Sequence, residues 1–138
     1  RVLLERFVPG RELAISIVGD PEPTPLPPVE PVPIDRDFYD FEARYTPGLT
    51  ELRVPADLPP ETTEEAERLA LGCFTTIGCR GLGRVDMILD GDGQLWVLEL
   101  NAIPGMTDTS LLPAAAEAAG TSFDEVVAGV LAEAALGP

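Results

Sequence analysis

Two apolar segments of the sequence, joined by a short polar turn, carry charged and amide side chains in an alternating pattern. The turn spans residues 90–93, where Asp and Gly tolerate the positive φ that a tight hairpin needs. The polar side chains of the two segments are Arg84, Asp86, Glu99 and Asn101. Carboxylates in apolar surroundings cost free energy unless a cation or hydrogen bonds compensate them. Since Mg²⁺ binds oxygen, usually from one or two carboxylates with phosphate and water, the pattern favours a magnesium site.

The register of this hairpin decides how close its carboxylates come. A turn centred on residues 91–92 predicts that Arg84 faces Glu99 and that Asp86 faces Val97. Asp86 and Glu99 would then be diagonal neighbours, roughly 7–8 Å apart at Cα. The residues alone leave a second arrangement open, in which Arg84 and Glu99 form an ion pair and Asp86 faces solvent.

The order of these residues resembles the closing motif of D-alanine–D-alanine ligases, members of the ATP-grasp superfamily. The family pattern is an Arg-x-Asp strand followed by E-x-N-x-x-P-G-M-T and then Ser-Leu. Matching positions in this chain are Arg84, Asp86, Glu99, Asn101, Pro104, Gly105, Met106, Thr107, Ser110 and Leu111. Family members often carry Thr where this chain has Ala102, so one hydroxyl is missing here.

The resemblance implies a role for most of these positions. The implied ligands of Mg²⁺ or Mn²⁺, with two ions expected, are Asp86, Glu99 and Asn101. In the family, the motif's Arg and the loop Gly stabilise a tetrahedral oxyanion, and the Ser-Leu pair binds the acceptor's carboxylate. The residues at those places are Arg84, Gly105, Ser110 and Leu111. Without the resemblance, Ser110 is the N-cap of the following helix.

The beginning of the chain is predicted to form a strand over residues 2–8, a Pro-Gly turn, and a second strand over 13–18. On the residues alone, its two glutamates are exposed acidic side chains on a hairpin. The segment resembles the hinge strand of the same ligases, where one Glu and the backbone after it hold adenine and a second Glu holds the ribose hydroxyls. Those positions are Glu5, Phe7, Val8 and Glu12.

Two further segments separate this hinge from the closing motif. Residues 20–33 contain seven prolines, which exclude a central strand, so we expect an insertion that leads into a strand over 29–34. A ligand for proline-binding domains is the alternative. Residues 35–54 read as a surface loop with aromatic anchors, but they resemble the omega loop that closes over the family's active site. There Arg44 replaces a phosphate-binding Lys, and Tyr45 matches the loop tyrosine.

Helical periodicity predicts three helices, over residues 62–77, 111–120 and 122–136. Capping patterns at their starts are Thr62 with Glu65 and Thr121 with Asp124. Gly78 is the expected end of the first helix. The apolar stripe of the last helix is expected in the core, with Phe123, Val126, Val127, Val130, Leu131 and Ala134 as its members.

Together with hairpin strands over 82–89 and 94–100, these elements predict an α+β fold, a mixed or antiparallel sheet with helices packed on it. The resemblance covers nearly all of residues 1–138 and implies the C-terminal lobe of an ATP-grasp enzyme.

Composition narrows the functional classes. With 138 residues, 45% of them hydrophobic, the chain can build one real core. A net charge of −15 argues against nucleic acid and anionic membranes as partners. No apolar run reaches the ~20 residues that span a bilayer. Cys73 and Cys79 are expected to be reduced, and a cytoplasmic location is expected.

The function that the resemblance implies is ATP-dependent joining of two D-alanines through an acyl phosphate, in peptidoglycan precursor synthesis. The family's N-terminal domain and central lobe are not visible, so the chain reads as a fragment or as one piece of a split enzyme, inactive alone. The resemblance implies a homodimer for the full-length enzyme, since the family often dimerises. Alternatives are a ligase for D-lactate or another amino acid, a non-catalytic nucleotide-binding remnant, and a structural acidic domain.

Overall fold

The computed structural model of this protein describes residues 2–19, 21–34, 46, 48–107 and 109–134. The strands within those ranges are β1 (Gly10–Val18), β2 (Thr24–Pro25), β3 (Glu30–Pro33), β4 (Thr50–Arg53), β5 (Leu82–Asp90) and β6 (Leu95–Asn101). The helices are α1 (Pro60–Ile77), α2 (Leu111–Ala118) and α3 (Phe123–Glu133). In this described part, no helix has the length and hydropathy to cross a membrane. The expected α+β class is confirmed.

Four strands form one antiparallel sheet in the order β2-β1-β5-β6. Its centre is the pair β1 and β5, aligned from Gly10 opposite Asp90 to Val18 opposite Leu82. β3 and β4 form a separate two-stranded sheet. Reciprocal backbone hydrogen bonds of 2.8 and 2.9 Å between Ala14 and the residue before β3 join that small sheet to β1. β1 therefore carries both sheets.

The two faces of the larger sheet have different partners because alternate strand residues point to opposite sides. One face packs on α1 and forms the main core, which includes Leu13, Ile15, Ile17, Val85, Met87, Leu89, Ala66, Ala70 and Phe74. Partly buried on this core are Cys73 and Cys79, both free thiols. The other face packs on α2 and α3, through a second cluster that includes Ala14, Leu111, Leu112, Ala115, Ala116 and Val126.

Helix α1 begins two residues earlier than its periodicity predicted. Pro59 is the N-cap and Pro60 opens the helix, where a fixed φ and a missing N–H cost nothing. The predicted capping box is therefore wrong, since the N–H of Thr62 donates to the Pro59 carbonyl at 3.0 Å and no side chain caps the helix. The predicted end is confirmed, with Gly78 as a left-handed C-cap.

Helix α3 starts on a capping box one residue later than expected. The N–H of Glu125 donates to Ser122 Oγ at 3.3 Å, and the N–H of Ser122 donates back to Glu125 Oε2 at 2.8 Å. The predicted pair of Thr121 and Asp124 is wrong, because their spacing matches the pattern equally well and only the backbone turn selects the register.

The expectation that the apolar stripe of α3 lies in the core is largely wrong. Val126 is buried, but Phe123, Val127 and Leu131 expose 47, 42 and 74% of their surface. The stripe shows which side of the helix is apolar, and it does not show whether another element covers that side.

The strand predicted over residues 2–8 does not form. Val2, Leu3 and Leu4 are 79–90% exposed, and residues 2–9 have no ladder partner in the described part of the chain. A strand forms only where its backbone pairs with a neighbouring strand, and the apolar composition of residues 2–8 does not ensure that pairing. β1 instead begins at Gly10, where a Cβ atom would lie 2.3 Å from the Leu89 carbonyl oxygen.

The proline-rich segment is partly extended. Thr24–Pro25 pairs with the end of β1 as an edge strand, a position where proline is tolerated. The strand expected over 29–34 is present as β3. That the proline-rich segment 20–33 is an insertion stays a prediction. Of the predicted lid at 35–54, residues 35–45 and 47 lie outside the described residues. Arg44 and Tyr45 are among them. Its last part contains β4, antiparallel to β3.

Candidate active site

A cavity of about 290 Å³ gathers five of the residues that the sequence singled out. Its described wall includes Glu5, Glu12, Asp86, Glu99 and Leu111. The wall draws on β1, β3, β5, β6, the start of α2 and the segment before β1. Asp86 pairs with Ala14 in the ladder, so its side chain lies on the face away from α1.

The β5–β6 register brings the two carboxylates closer than predicted. Asp86 lies directly opposite Glu99, and Arg84 opposite Asn101. The predicted register, with Arg84 facing Glu99 and Asp86 facing Val97, is wrong. The partner of Asp86 lies two residues further along β6 than predicted. One residue of this difference arises at the turn, where Leu89 faces Leu95, and the bulge after Asp86 adds the second. Directly opposed residues of antiparallel strands have Cα atoms roughly 4.5–5.5 Å apart.

The turn at residues 90–93 is confirmed, and Asp90 organises it. Its Oδ1 accepts from the N–H groups of Asp92 at 3.0 Å and Gln94 at 2.9 Å. Its Oδ2 accepts from the indole Nε1 of Trp96 at 2.7 Å. These bonds, that of Trp96 foremost, hold the pKa of Asp90 below its usual value. The carboxylate therefore fixes the end of the hairpin.

Arg84 and Asp86 form a fork within one strand. Arg84 Nε donates to Oδ1 at 2.7 Å and Nη2 to Oδ2 at 2.8 Å. The two side chains are 8 and 16% exposed, so Asp86 does not face solvent as the alternative arrangement required. The guanidinium holds the carboxylate in a fixed plane beside Glu99, because bidentate pairs restrict both partners.

The carboxylate and amide oxygens at this place suit a metal ion that also takes phosphate oxygens as ligands. In the described ranges no group of three or more His, Cys, Asp or Glu residues could hold a metal ion. Asp86 and Glu99 offer two carboxylates, and Asn101 lies two residues further on the same face as Glu99. Asn101 Oδ1 already accepts from the Ile103 N–H at 3.0 Å. Such a set fits Mg²⁺, which usually keeps waters and phosphate ligands, and does not form an all-protein cage.

The segment before β1 is held against the hairpin by an aromatic contact. The Arg6 guanidinium carbon lies 4.8 Å from the ring centroid of Trp96. Both Glu5 and Arg6 line the cavity from this segment. The predicted adenine residues Phe7, which is 70% exposed, and Val8 are not part of the described cavity wall.

The loop after β6 brings Gly105 close to Ser110. Ser110 Oγ accepts from the Thr107 N–H at 3.0 Å and shares a 2.9 Å hydrogen bond with the Thr107 hydroxyl. Ser110 stands at the N-cap position of α2, as predicted, but its side chain makes no cap hydrogen bond. A Cβ atom at Gly105 would lie 2.7 Å from Ser110 Oγ, so glycine permits this approach. Neither residue belongs to the described cavity wall, whereas buried Leu111 does.

The sequence-based predictions missed a buried carboxylate next to the cavity. Glu30, 5% exposed, accepts from Nε and Nη2 of Arg11, each at 2.7 Å. Arg53 Nη1 lies 3.8 Å from the same carboxylate. The hydrogen bonds from Arg11 are the main reason that the pKa of Glu30 lies below its usual value. Nothing in the local pattern links Arg11 to Glu30, since they meet only when β3 docks on β1.

Comparison with known proteins identifies relatives along nearly the whole chain. A family model described as "D-ala D-ala ligase C-terminus" matches residues 1–132. A D-alanine–D-alanine ligase of Synechococcus sp. (strain JA-2-3B'a(2-13)) is 43% identical over 134 residues, which are 97% of this chain and 40% of that protein.

Solved structures agree with this match. The D-alanine–D-alanine ligase of Bacillus anthracis, complexed with ATP, is 30% identical with a TM-score of 0.75, over 94% of this chain and 39% of that one. The VanG D-Ala:D-Ser ligase of Enterococcus faecalis is 25% identical with a TM-score of 0.75, over 91% of this chain and 36% of that one. The chain spans less than half the length of each of these relatives.

Proposed function

The chain belongs to the D-ala D-ala ligase C-terminus family, and from that membership we propose that it is the C-terminal lobe of an ATP-dependent ligase that joins two D-alanines. The product would serve peptidoglycan precursor synthesis. The observation that carries the proposal is the cavity, because Glu5 and Glu12 from the beginning of the chain and Asp86 and Glu99 from the hairpin line one space. These are positions at which the family's nucleotide and metal residues are expected.

The nucleotide would enter between the segment before β1 and β1 itself. Glu5 and Glu12 are acceptors, suited to the amine of adenine and the hydroxyls of ribose. Arg6, held over Trp96, adds a cation to this end of the cavity. Phe7 and Val8 are proposed to contact the adenine base, and Arg44 is proposed to bind the terminal phosphate.

The phosphate end would lie over the hairpin. Asp86, Glu99 and Asn101 would hold Mg²⁺ or Mn²⁺, with two ions proposed. A bound ion of this kind neutralises charge on phosphoryl oxygens during transfer. The Arg84 fork orients the Asp86 carboxylate, since two parallel hydrogen bonds fix its plane.

In the proposed reaction, the terminal phosphate of ATP passes to the carboxylate of a first D-alanine. The amine of a second D-alanine then displaces phosphate from that acyl phosphate. The residues proposed to stabilise the oxyanion and bind the acceptor carboxylate are Arg84, Gly105, Ser110 and Leu111. Tyr45 and the lid would keep water away from the acyl phosphate, which water would otherwise hydrolyse.

The remaining lobes of such an enzyme would cover surface that is exposed here. Val2, Leu3 and Leu4 are exposed, and so are Val97 and Leu98 on the edge strand β6. Contiguous exposed apolar residues mark interaction surfaces. The relatives are more than twice as long as this chain, which supports further lobes of the same protein as the partners. A homodimer is proposed for the complete enzyme and inactivity for this lobe alone.

A second acceptor is the main alternative. VanG is a D-Ala:D-Ser ligase and matches this chain with a TM-score of 0.75. D-lactate or another amino acid would therefore be compatible with the same lobe, because acceptor choice depends partly on regions beyond it.

Phosphate release from ATP by the natural full-length protein tests the proposal. D-Alanine, D-serine, D-lactate and L-amino acids would be compared, and the product identified by mass spectrometry. Release that requires D-alanine and yields the dipeptide supports the proposed function. Release with another acceptor alone would replace the substrate, and ATP binding without release would indicate a non-catalytic remnant.

A further inference from the structure

We propose that Arg11 and Glu30 are positioning residues that set the width of the nucleotide cavity, an inference that rests on the proposed function. Neither side chain belongs to the described cavity wall. Each directly precedes, in its own strand, a residue that does, namely Glu12 in β1 and Pro31 in β3. The pair therefore acts through the spacing of the wall and not through contact with a ligand.

The contact between Arg11 and Glu30 is directional. Two 2.7 Å hydrogen bonds join the guanidinium fork to both carboxylate oxygens, and Nη2 also donates to the Asp57 carbonyl at 3.0 Å. A planar fork fixes orientation as well as distance, which a lysine ammonium cannot do. The Glu30 side chain is 6% exposed, so water offers it little alternative bonding.

The position of this fork lets it influence the distance between the two cavity walls that β1 and β3 form. Among the described residues, one pair of backbone hydrogen bonds joins the small sheet to β1, between Ala14 and Val29, the residue before β3. A single pair of reciprocal hydrogen bonds can act as a pivot. The fork is a second attachment, on the other side of Glu12, so the two attachments bracket the cavity residue. With both in place, we expect the fork to restrict rotation of β3 about the bridge, a rotation that would carry Pro31 toward or away from Glu12.

The burial of the Glu30 carboxylate is poorly explained by stability alone, because its partner Arg11 keeps 39% of its side chain exposed. A carboxylate taken out of water loses hydration that its partner must replace. Arg53 also approaches Glu30, at 3.8 Å, and stands opposite it in the β3–β4 ladder. Both strands of the small sheet thus meet at one carboxylate, which favours a role in orientation.

The test measures the dissociation constant of Mg-ATP, the kinetics and the melting temperature of three variants in the natural full-length protein. Glu30→Gln removes the charge, and Arg11→Lys keeps the charge but removes the fork. We expect both to weaken ATP binding by about tenfold, the scale on which supporting residues act, while kcat changes less than about twofold. Binding is measured well below each melting temperature, so that partial unfolding does not enter.

The matched control is Glu65→Gln in α1. Glu65 forms a fork of the same kind with Arg68, at 2.6 and 2.7 Å, away from the cavity wall. Its ATP dissociation constant should stay at the wild-type value. Should Glu30→Gln unfold, Arg11→Lys carries the test.

Wild-type ATP affinity in both Glu30→Gln and Arg11→Lys, with only a lower melting temperature, would overturn the positioning role and leave the proposed function intact. A wild-type protein that does not bind Mg-ATP would overturn the proposed function, and the positioning role with it.

Discussion

Two arginine forks of nearly equal bond length hold carboxylates in different settings. Arg84 binds Asp86 two residues away in one strand, whereas Arg11 binds Glu30 across two sheets. The first carboxylate lines the cavity and faces Glu99, so it can serve a ligand. The second is withdrawn from the cavity and ties the scaffold together. The same chemistry therefore presents a group in one place and fixes geometry in the other.

The largest loss of stability is expected when Asp86 is removed. Arg84 is 7% exposed, and Asp86→Ala would remove the carboxylate to which its guanidinium donates two hydrogen bonds. Removal of one partner of a buried pair costs about 3–5 kcal/mol of unfolding free energy. Urea unfolding measures this loss, and Asp92→Ala in the exposed turn is the control. A loss below that of Glu30 variants would contradict the difference drawn between the two forks.

Removal of Glu30 should cost less, since Arg11 is 39% exposed at its side chain and water can solvate it once released. Glu30→Gln is expected to lower the unfolding free energy by about 1.5–3 kcal/mol, the range for hydrogen bonds to charged groups.

The Glu30 contribution should also depend on pH. Because its folded pKa lies below the usual value, the stabilisation is present above the ordinary carboxyl pKa and is lost as pH falls through the folded pKa. The difference in melting temperature between wild type and Glu30→Gln should therefore shrink as the pH falls from neutrality to below the ordinary carboxyl pKa. A difference that grows on acidification would contradict this sign.

The smallest effect is expected in the loop that the forks do not reach. Gly105→Ala places a Cβ atom 2.7 Å from Ser110 Oγ, which must move. A cost of roughly 1 kcal/mol is expected, at the low end for overpacking because the loop is exposed. Ser110→Ala in the same chain should recover most of that loss in thermal unfolding. No recovery would show that another contact causes the strain.

The contrast between a contact within one strand and a contact across two sheets also explains what the sequence could predict. The hairpin, its turn at 90–93 and the end of α1 at Gly78 depend on neighbouring residues, and all three are confirmed. The predicted register was wrong because the turn and the bulge each move the partner of Asp86 by one residue, and neither shift changes the alternation of side chains in the sequence.

Features that depend on distant partners were not predictable. Residues 2–8 have a strand pattern but pair with no described strand, and the stripe of α3 has no described element over most of it. The fork between Arg11 and Glu30 joins residues 19 positions apart through the docking of β3. A sequence pattern indicates the local structural preference of a segment. Which strand pairs with it, and which element buries its apolar face, depend on tertiary contacts.

The most direct test of the account is Mg-dependent ATP binding by wild type and by Glu99→Gln in the natural full-length protein. Glu99 faces Asp86 across the hairpin, and the amide keeps its size while removing its charge. The account predicts that Mg²⁺ strengthens ATP binding in wild type, that Glu99→Gln loses this gain, and that binding without Mg²⁺ and the melting temperature stay near wild type. An undiminished Mg²⁺ effect in Glu99→Gln would contradict the assignment of this carboxylate pair to the metal.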